Sequence, residues 1–99
     1  MSGYAFEWDE RKNESNLRKH GVDFETASRV FDDPHHVPFI ERVEGAEERW
    51  RMIGFVPNTM LILVLVYIYP DEENENLVRI ISARRASKRE RKAYDEENS

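Results

Sequence analysis

The 99-residue chain contains no cysteine, which excludes a disulfide scaffold, a thiolate metal site and a cysteine nucleophile. Its four glycines form no phosphate-binding loop, and no Ser-His-Asp set is recognisable. The longest apolar run, residues 60–69, is about half as long as a membrane-spanning helix. The first ten residues are acidic and contain no apolar segment of the kind found in secretory signals. These absences favour a cytoplasmic protein that needs no cofactor or metal and does not enter a membrane.

Positive charge is also scarce overall, since 15 Lys and Arg against 20 Asp and Glu give a net charge of −5. Taken alone, this value argues against a nucleic-acid binder, because phosphate contacts need Lys and Arg. The distribution along the chain changes the interpretation. Residues 11–20 carry +3 and residues 79–92 carry +6, whereas residues 21–78 carry −8. We therefore expect two basic surfaces and one acidic surface, and the acidic one could meet basic stretches of a partner protein.

The length allows one domain over residues 1–99, with a core from about residue 4 to residue 94 and a frayed tail at 95–99. Residues 4–8 alternate like a short strand. Asp9 is typical of a helix N-cap and Gly21 of a helix end, which predicts a mostly exposed helix over residues 10–19. A second helix should follow the N-cap Asp23 and end before Pro34, because a residue preceding proline avoids the helical region.

Beyond Pro34 the pattern changes to strands over residues 37–43, 49–56, 60–69 and 77–83, with a turn at residues 43–46. Pro38 places the first of these strands at a sheet edge. The run 60–69 is apolar on both faces and should be the central strand. Ser87 and Glu90 fit a capping box, which predicts a basic helix over residues 88–94. The fold class is α+β, with a mainly antiparallel sheet preceded and followed by helices.

Several arginines are candidates for anion binding. Arg79 lies among apolar residues of the last strand, where an unpaired charge is costly, so it needs a partner or a ligand. Arg84 and Arg85 fall where this strand is predicted to end and the helix to begin, and a helix N-terminus attracts anions. The later charges, which include Lys88, could equally form a solvated helix face.

His20 follows Lys19 at the end of the first predicted helix. It could simply offset the helix dipole, or it could exchange protons with a phosphodiester. His35 and His36 are adjacent in a loop, and an ordinary polar loop is the favoured interpretation over a metal pair. Trp50 is expected in the core more often than as a base-stacking platform, and Glu48 could simply pair with one of the arginines.

The sequence resembles the BrnT family of ribonuclease toxins. The resemblance lies in four segments that occur in the family's order. They are Phe6-Glu7-Trp8-Asp9 with Lys12, Asn16, Lys19-His20-Gly21-Val22, Phe24 and Ala27; Phe31-Asp32-Asp33; Glu48-Arg49-Trp50 with Ile53-Gly54; and Arg79 to Ser87 with Glu90-Arg91 and Tyr94. The chain departs from the family pattern at Ile68-Tyr69-Pro70, where a threonine is common, and in its long acidic loop over residues 71–76.

The resemblance implies a RelE-like fold and metal-independent endoribonuclease activity that inhibits translation and growth. It also implies neutralisation by a BrnA-like antitoxin, which supplies DNA binding and forms a hetero-oligomer around an antitoxin dimer. We expect the catalytic residues to be His20, Lys19, Arg49, Arg79 and Arg84. The residues expected to bind RNA are Lys12, Glu48, Trp50, Arg85, Lys88 and Tyr94. Two alternatives remain at this stage: a nucleic-acid-binding module without catalysis, and a protein that only docks a partner.

Overall fold

The computed structural model describes residues 3–45 and 47–98. The elements in chain order are β1 (Ala5–Glu7), α1 (Glu10–His20), α2 (Phe24–Ser28) with a following 3-10 turn (Arg29–Asp32), β2 (Val37–Glu44), β3 (Glu47–Phe55), β4 (Ile62–Ile68), β5 (Leu77–Arg85) and α3 (Lys88–Glu97). The α+β class predicted from the sequence is therefore confirmed.

The five strands form one sheet in the order β1-β5-β4-β3-β2. Only β1 runs parallel to its neighbour, β5, and the other three pairings are antiparallel. Strand β4 is central and almost entirely buried, as its two-sided apolar pattern predicts. Strand β2 lies at the edge and contains Pro38, which is also as predicted.

Each face of the sheet is covered by different helices. On the face that we call the α2 face, Phe24, Ala27 and Val30 pack in a core with residues of β3, β4 and β5 such as Leu65 and Ile80. On the opposite face, the α3 face, Tyr94 packs with a smaller cluster of Ile53, Ile62 and Val64. The α3 face is therefore covered at one end by the C-terminal helix.

Helix α1 is held to the sheet by a buried amide rather than by an apolar stripe. Leu17 is half exposed, and Asn16 is the buried residue of this helix. Its Nδ2 donates to the carbonyl oxygens of Val22 (2.9 Å) and Ala83 (2.7 Å), and its Oδ1 accepts from the backbone N–H of Ala83 (3.2 Å). The amide thus pairs with β5 beyond the end of β1, as a neighbouring strand would.

Asp33 is the second buried polar residue and connects three parts of the fold. Its carboxylate accepts hydrogen bonds from the N–H groups of His35 and Phe55 and from the Tyr94 hydroxyl, the last at 2.6 Å. Burial acts to raise the pKa of Asp33, but these hydrogen bonds outweigh it and lower the pKa below its ordinary value. Gly54 permits the close approach, since a Cβ there would lie 2.9 Å from the Asp33 carboxylate.

Several boundaries differ from the predictions by one to three residues, and two of these differences affect the C-terminal part of the chain. Strand β5 continues through Arg84 and Arg85, because both residues still pair with β4. Helix α3 extends to Glu97, beyond its predicted end at residue 94, and the Asn98 amide donates to the Tyr94 carbonyl. The predicted turn at residues 43–46 includes position 46, and the tail includes position 99; both positions lie outside the described residues.

Replacing Asn16 by alanine should destabilise the protein by about 2–3 kcal/mol, because buried backbone groups of Ala83 and Val22 lose their hydrogen-bond partner. Urea unfolding would measure the loss. Glu14→Ala is the matched control on the exposed side of the same helix, and it should change the free energy of unfolding by less than about 0.5 kcal/mol. Equal stability of the two variants would contradict the anchoring role of Asn16.

Candidate functional site

Three of the predicted site residues meet in one pocket beside β5. Lys12, Lys19 and His20 line a cavity of about 230 Å³, which we call the α1 pocket; its other lining residues are Ser15, Asn16, Ile81 and Ser82. Lys12 and Lys19 are two helical turns apart, and Asn16 lies between them, so all three share the side of α1 that faces the strand. The buried Asn16 amide therefore places the two lysines beside the pocket.

The wall of the α1 pocket is formed by an irregularity in β5. The register changes from Val66 opposite Ser82 to Tyr67 opposite Ile80, so Ile81 is an extra residue in the ladder. Such a bulge redirects side chains and is frequent next to functional sites. Here the bulge lies beyond β1, where one edge of β5 is open and α1 approaches it. The pocket therefore lies between α1 and the open edge of β5.

Four arginines occupy the α3 face of the sheet near this bulge. Ser82 lies opposite Val66, which in turn lies opposite Arg51, and Arg84 lies in the next row of the same face. Arg49 lies on the same face because it is two residues before Arg51 in β3. Arg79 lies on it because it pairs with Ile68, which is two residues after Val66 in β4. Ser82 is the link, because it belongs to this face and also lines the α1 pocket.

Arg84 is bound to Glu90 of α3 by two parallel hydrogen bonds of 2.6 and 2.9 Å. This pairing holds the pKa of Glu90 at about 2 and raises the pKa of Arg84. The same carboxylate accepts from the backbone N–H of Ser87, which completes the predicted capping box. The sequence predicts that Arg84 lies between the last strand and the helix, at an anion-attracting helix N-terminus. In the structure Arg84 lies within β5 and is paired with Glu90.

Arg79 is also paired. It lies beside Glu7 of β1 in the parallel register, and its Nε and Nη2 atoms are 2.6 and 2.5 Å from the Glu7 carboxylate. The sequence predicted that Arg79 needs a partner or a ligand, and Glu7 is the partner. The desolvated setting expected for it is wrong, because the side chain is 45% exposed.

The remaining predicted residues are more scattered. Arg49 lies 3.7 Å from Glu44. Trp50 is half-buried, packs against the core of the α2 face and lines a different cavity together with Glu48. Arg85 and Lys88 are exposed. Tyr94 is buried with its hydroxyl on Asp33, and both its burial and this hydrogen bond raise its pKa; its place is that of an anchor for α3.

The cations therefore fall into two groups. Arg49, Arg79 and Arg84 each have a carboxylate partner, whereas Lys12 and Lys19 form no ion pair within the described part of the chain. Arg85 and Lys88 are also unpaired among the described residues, but they do not line the α1 pocket. The two lysines that do line it leave this pocket suited to an anion. The sequence did not indicate that Asn16 anchors α1, that Ser82 lines the pocket or that Glu7 pairs with Arg79. For Asn16 a signal was available, because asparagine is unfavourable at an interior helix position.

Comparison with known proteins agrees with the resemblance described above. A family model described as the ribonuclease toxin BrnT of type II toxin–antitoxin systems matches residues 8–90. No curated protein matches the chain. Among the helices of the described residues, none is long and apolar enough to cross a membrane.

The pair formed by Arg84 and Glu90 should make stability depend on pH. Because the folded pKa of Glu90 is about 2 and its ordinary value is 4.5, the stabilisation is complete above about pH 5 and is lost as the pH falls towards 2. At pH 7 the free energy of unfolding of wild type should exceed that of Glu90→Gln by about 1–2 kcal/mol. This difference should disappear near pH 2. Urea unfolding at several pH values measures it. A stability difference that stayed constant with pH would contradict the role of the charged Glu90. Glu14→Gln is the control, and its stability relative to wild type should not change in this way.

Proposed function

Because the chain belongs to the BrnT family, the ribonuclease toxins of type II toxin–antitoxin systems, we propose that it is a metal-independent endoribonuclease that cleaves RNA at the α1 pocket. Cleavage in the cytoplasm would inhibit translation and growth. A BrnA-like antitoxin would neutralise the toxin and carry the DNA-binding function of the complex, and the hetero-oligomer would form around an antitoxin dimer.

The observation that carries this proposal is the meeting of His20 with two unpaired lysines at the α1 pocket, next to the arginine-bearing face. RNA cleavage without a metal needs a group that exchanges protons and cations that stabilise the charge on phosphorus. Imidazole exchanges protons near neutral pH. Lys19 is its neighbour in sequence and lines the same pocket, so both requirements are met within one site.

In the proposed reaction, the 2′-hydroxyl of one nucleotide loses its proton and its oxygen forms a bond to the adjacent phosphorus. The bond from phosphorus to the 5′-oxygen then breaks, and that oxygen takes up a proton. The products are a 2′,3′-cyclic phosphate and a free 5′-hydroxyl. His20 would exchange one of these protons, and Lys19 would stabilise the charge or act as the second proton-transfer group.

The arginines would contribute from the sheet side of the pocket. Arg79 and Arg84 are 45% and 39% exposed, so part of each guanidinium remains accessible beside its carboxylate. A planar guanidinium can bind phosphate through two donors at once. Arg49 lies on the same face and would extend this surface. Arg85 lies on the opposite face, because it pairs with Leu63, and it would contact RNA together with Lys88 outside the pocket. Lys12 would bind the RNA backbone at the other end of the pocket.

A non-catalytic RNA-binding module is the second candidate, favoured by the fact that the three arginines are paired with carboxylates rather than free. Such a protein would bind RNA in a salt-dependent way without turnover. Cleavage of purified RNA distinguishes the two functions directly.

Replacing His20 by alanine should lower the rate of RNA cleavage about 100-fold or more in buffer containing EDTA, because general acid–base catalysis is lost. His35→Ala is the matched control, since His35 is exposed and lies outside the pocket. Product analysis should detect 2′,3′-cyclic phosphate ends. Full activity of His20→Ala would refute the assignment of the pocket, and dependence on added metal would refute the metal-independent reaction.

Replacing Lys19 by alanine should reduce cleavage about 10-fold or more, whereas Arg18→Ala should stay within about 3-fold of wild type. Both changes remove one positive charge from adjacent positions of α1, but Arg18 does not line the pocket. Equal losses in the two variants would indicate general charge attraction instead of a positioned lysine. Initial rates on one RNA oligonucleotide at fixed ionic strength provide the measurement.

A further inference from the structure

A larger cavity lies on the α2 face of the sheet, away from the α1 pocket. Its volume is about 540 Å³, and we call it the acidic groove; it is lined by Glu44, Glu47, Glu48, Trp50, Tyr69, Pro70, Asp71, Glu72 and Glu75. It shares no lining residue with the α1 pocket. The proposed cleavage reaction makes no use of it.

The groove has an aromatic wall in addition to its carboxylates. The rings of Trp50 and Tyr69 meet edge to face at 5.8 Å, and both side chains are half-buried. Tyr67 lies opposite Trp50 in the sheet and 5.7 Å from the ring of Tyr69. Tyr67 is fully buried in the core of the α2 face and supports the aromatic wall from behind. The groove therefore combines carboxylates with an aromatic wall that the core holds in place.

The carboxylates of the groove are mostly unpaired. Of the six, only Glu44 forms ion pairs with described residues, and its partners are Arg42 and Arg49. Unbalanced like charges repel one another, and a bound cation would relieve that repulsion. Within residues 3–45 and 47–98, no three His, Asp or Glu side chains are placed to hold a metal ion. The chemistry that fits is a set of separate organic cations, since guanidinium groups bind carboxylates and stack on aromatic faces.

We propose that the acidic groove docks a basic, arginine-bearing segment of the antitoxin. RNA is unsuitable as an occupant because its phosphates would meet six carboxylates. A protein segment with arginines matches the groove in charge, through the carboxylates, and in shape, through the flat rings of Trp50 and Tyr69. The inference rests on the proposed function only in taking the partner to be the antitoxin. It assigns part of the partner interface to a surface separate from the RNA site.

The test uses a fluorescently labelled hexa-arginine peptide as probe and measures binding by fluorescence anisotropy at 150 mM salt. Wild type is compared with the triple variant Glu47→Gln, Glu72→Gln, Glu75→Gln. The matched control is Glu14→Gln, Glu25→Gln, Asp95→Asn, which changes the net charge by the same amount at exposed sites outside the groove. The groove variant should bind the peptide at least tenfold more weakly than wild type, and the control should stay within about twofold.

Equal weakening in both triple variants would overturn the proposal, because it would show that only total charge matters. Absence of peptide binding to wild type would also overturn it. A second copy of the chain is the alternative occupant, through its own basic helix. A wild-type dimer that becomes monomeric in the groove variant, as measured by sedimentation, would assign the groove to self-association and refute antitoxin docking.

The partner itself is tested by co-expression with the cognate antitoxin. The groove variant should lose most of the co-purifying antitoxin, whereas the control should retain it. RNA cleavage by the purified groove variant should equal that of wild type, because the α1 pocket is intact. Peptide binding that depends on the groove, in a protein that cleaves no RNA, would refute the ribonuclease proposal and leave the docking surface standing. Undiminished antitoxin binding by the groove variant would refute antitoxin docking at the groove and leave the ribonuclease proposal standing.

Discussion

The hydrogen bonds between the Asn16 amide and Ala83 are the constraint from which the rest of the candidate site follows. Strand β1 pairs with only three residues of β5, so the later part of β5 has an open edge. An amide supplies one donor group and one acceptor, which is what a missing strand would supply at this point. Because Asn16 lies inside α1, satisfying the strand edge also fixes the helix. The lysines and the histidine of α1 are thereby placed beside the bulge of β5.

The C-terminal helix is positioned by a different balance of charges. Asp33 and the Tyr94 hydroxyl connect it to the chain before β2, and Glu90 connects it to Arg84 of the sheet. Each of these carboxylates is stabilised in its charged form, as their lowered pKa values show. Glu90 also orients Arg84, one of the four arginines of the α3 face, through two parallel hydrogen bonds. A phosphate that replaced Glu90 on Arg84 would have to offset the loss of a paired and capped helix end. RNA binding at this arginine, as proposed, would therefore be coupled to stability.

Most of the fold could be predicted from local sequence signals. Asp9, Asp23 and Ser87 are N-caps in the structure, and the apolar run before Tyr69 is the central strand, because these features depend on near neighbours in the chain. The candidate site was only partly predictable. The residue types of the α1 pocket could be listed, but the pairing of Arg79 with Glu7 joins positions 72 residues apart. The bulge at Ile81 likewise depends on the register with β4. No periodic pattern of residues in the sequence indicates the Arg79–Glu7 pair or the bulge.

The distribution of charge gains a physical meaning once the fold is known. Residues 21–78 contain most of the net negative charge, and the sheet gathers six of those carboxylates around Trp50 and Tyr69 rather than spreading them over the surface. The basic helix α1 lies at the other end of the strand order, beside β5. If RNA is the substrate, as proposed, it would be repelled from the acidic side and attracted to the basic side, so the distribution of charge would orient it. A partner segment with arginines would instead be attracted to the acidic side and repelled from the basic side. One chain can therefore direct two oppositely charged molecules to two different surfaces, which requires separation of charge along the sheet and not an excess of either sign.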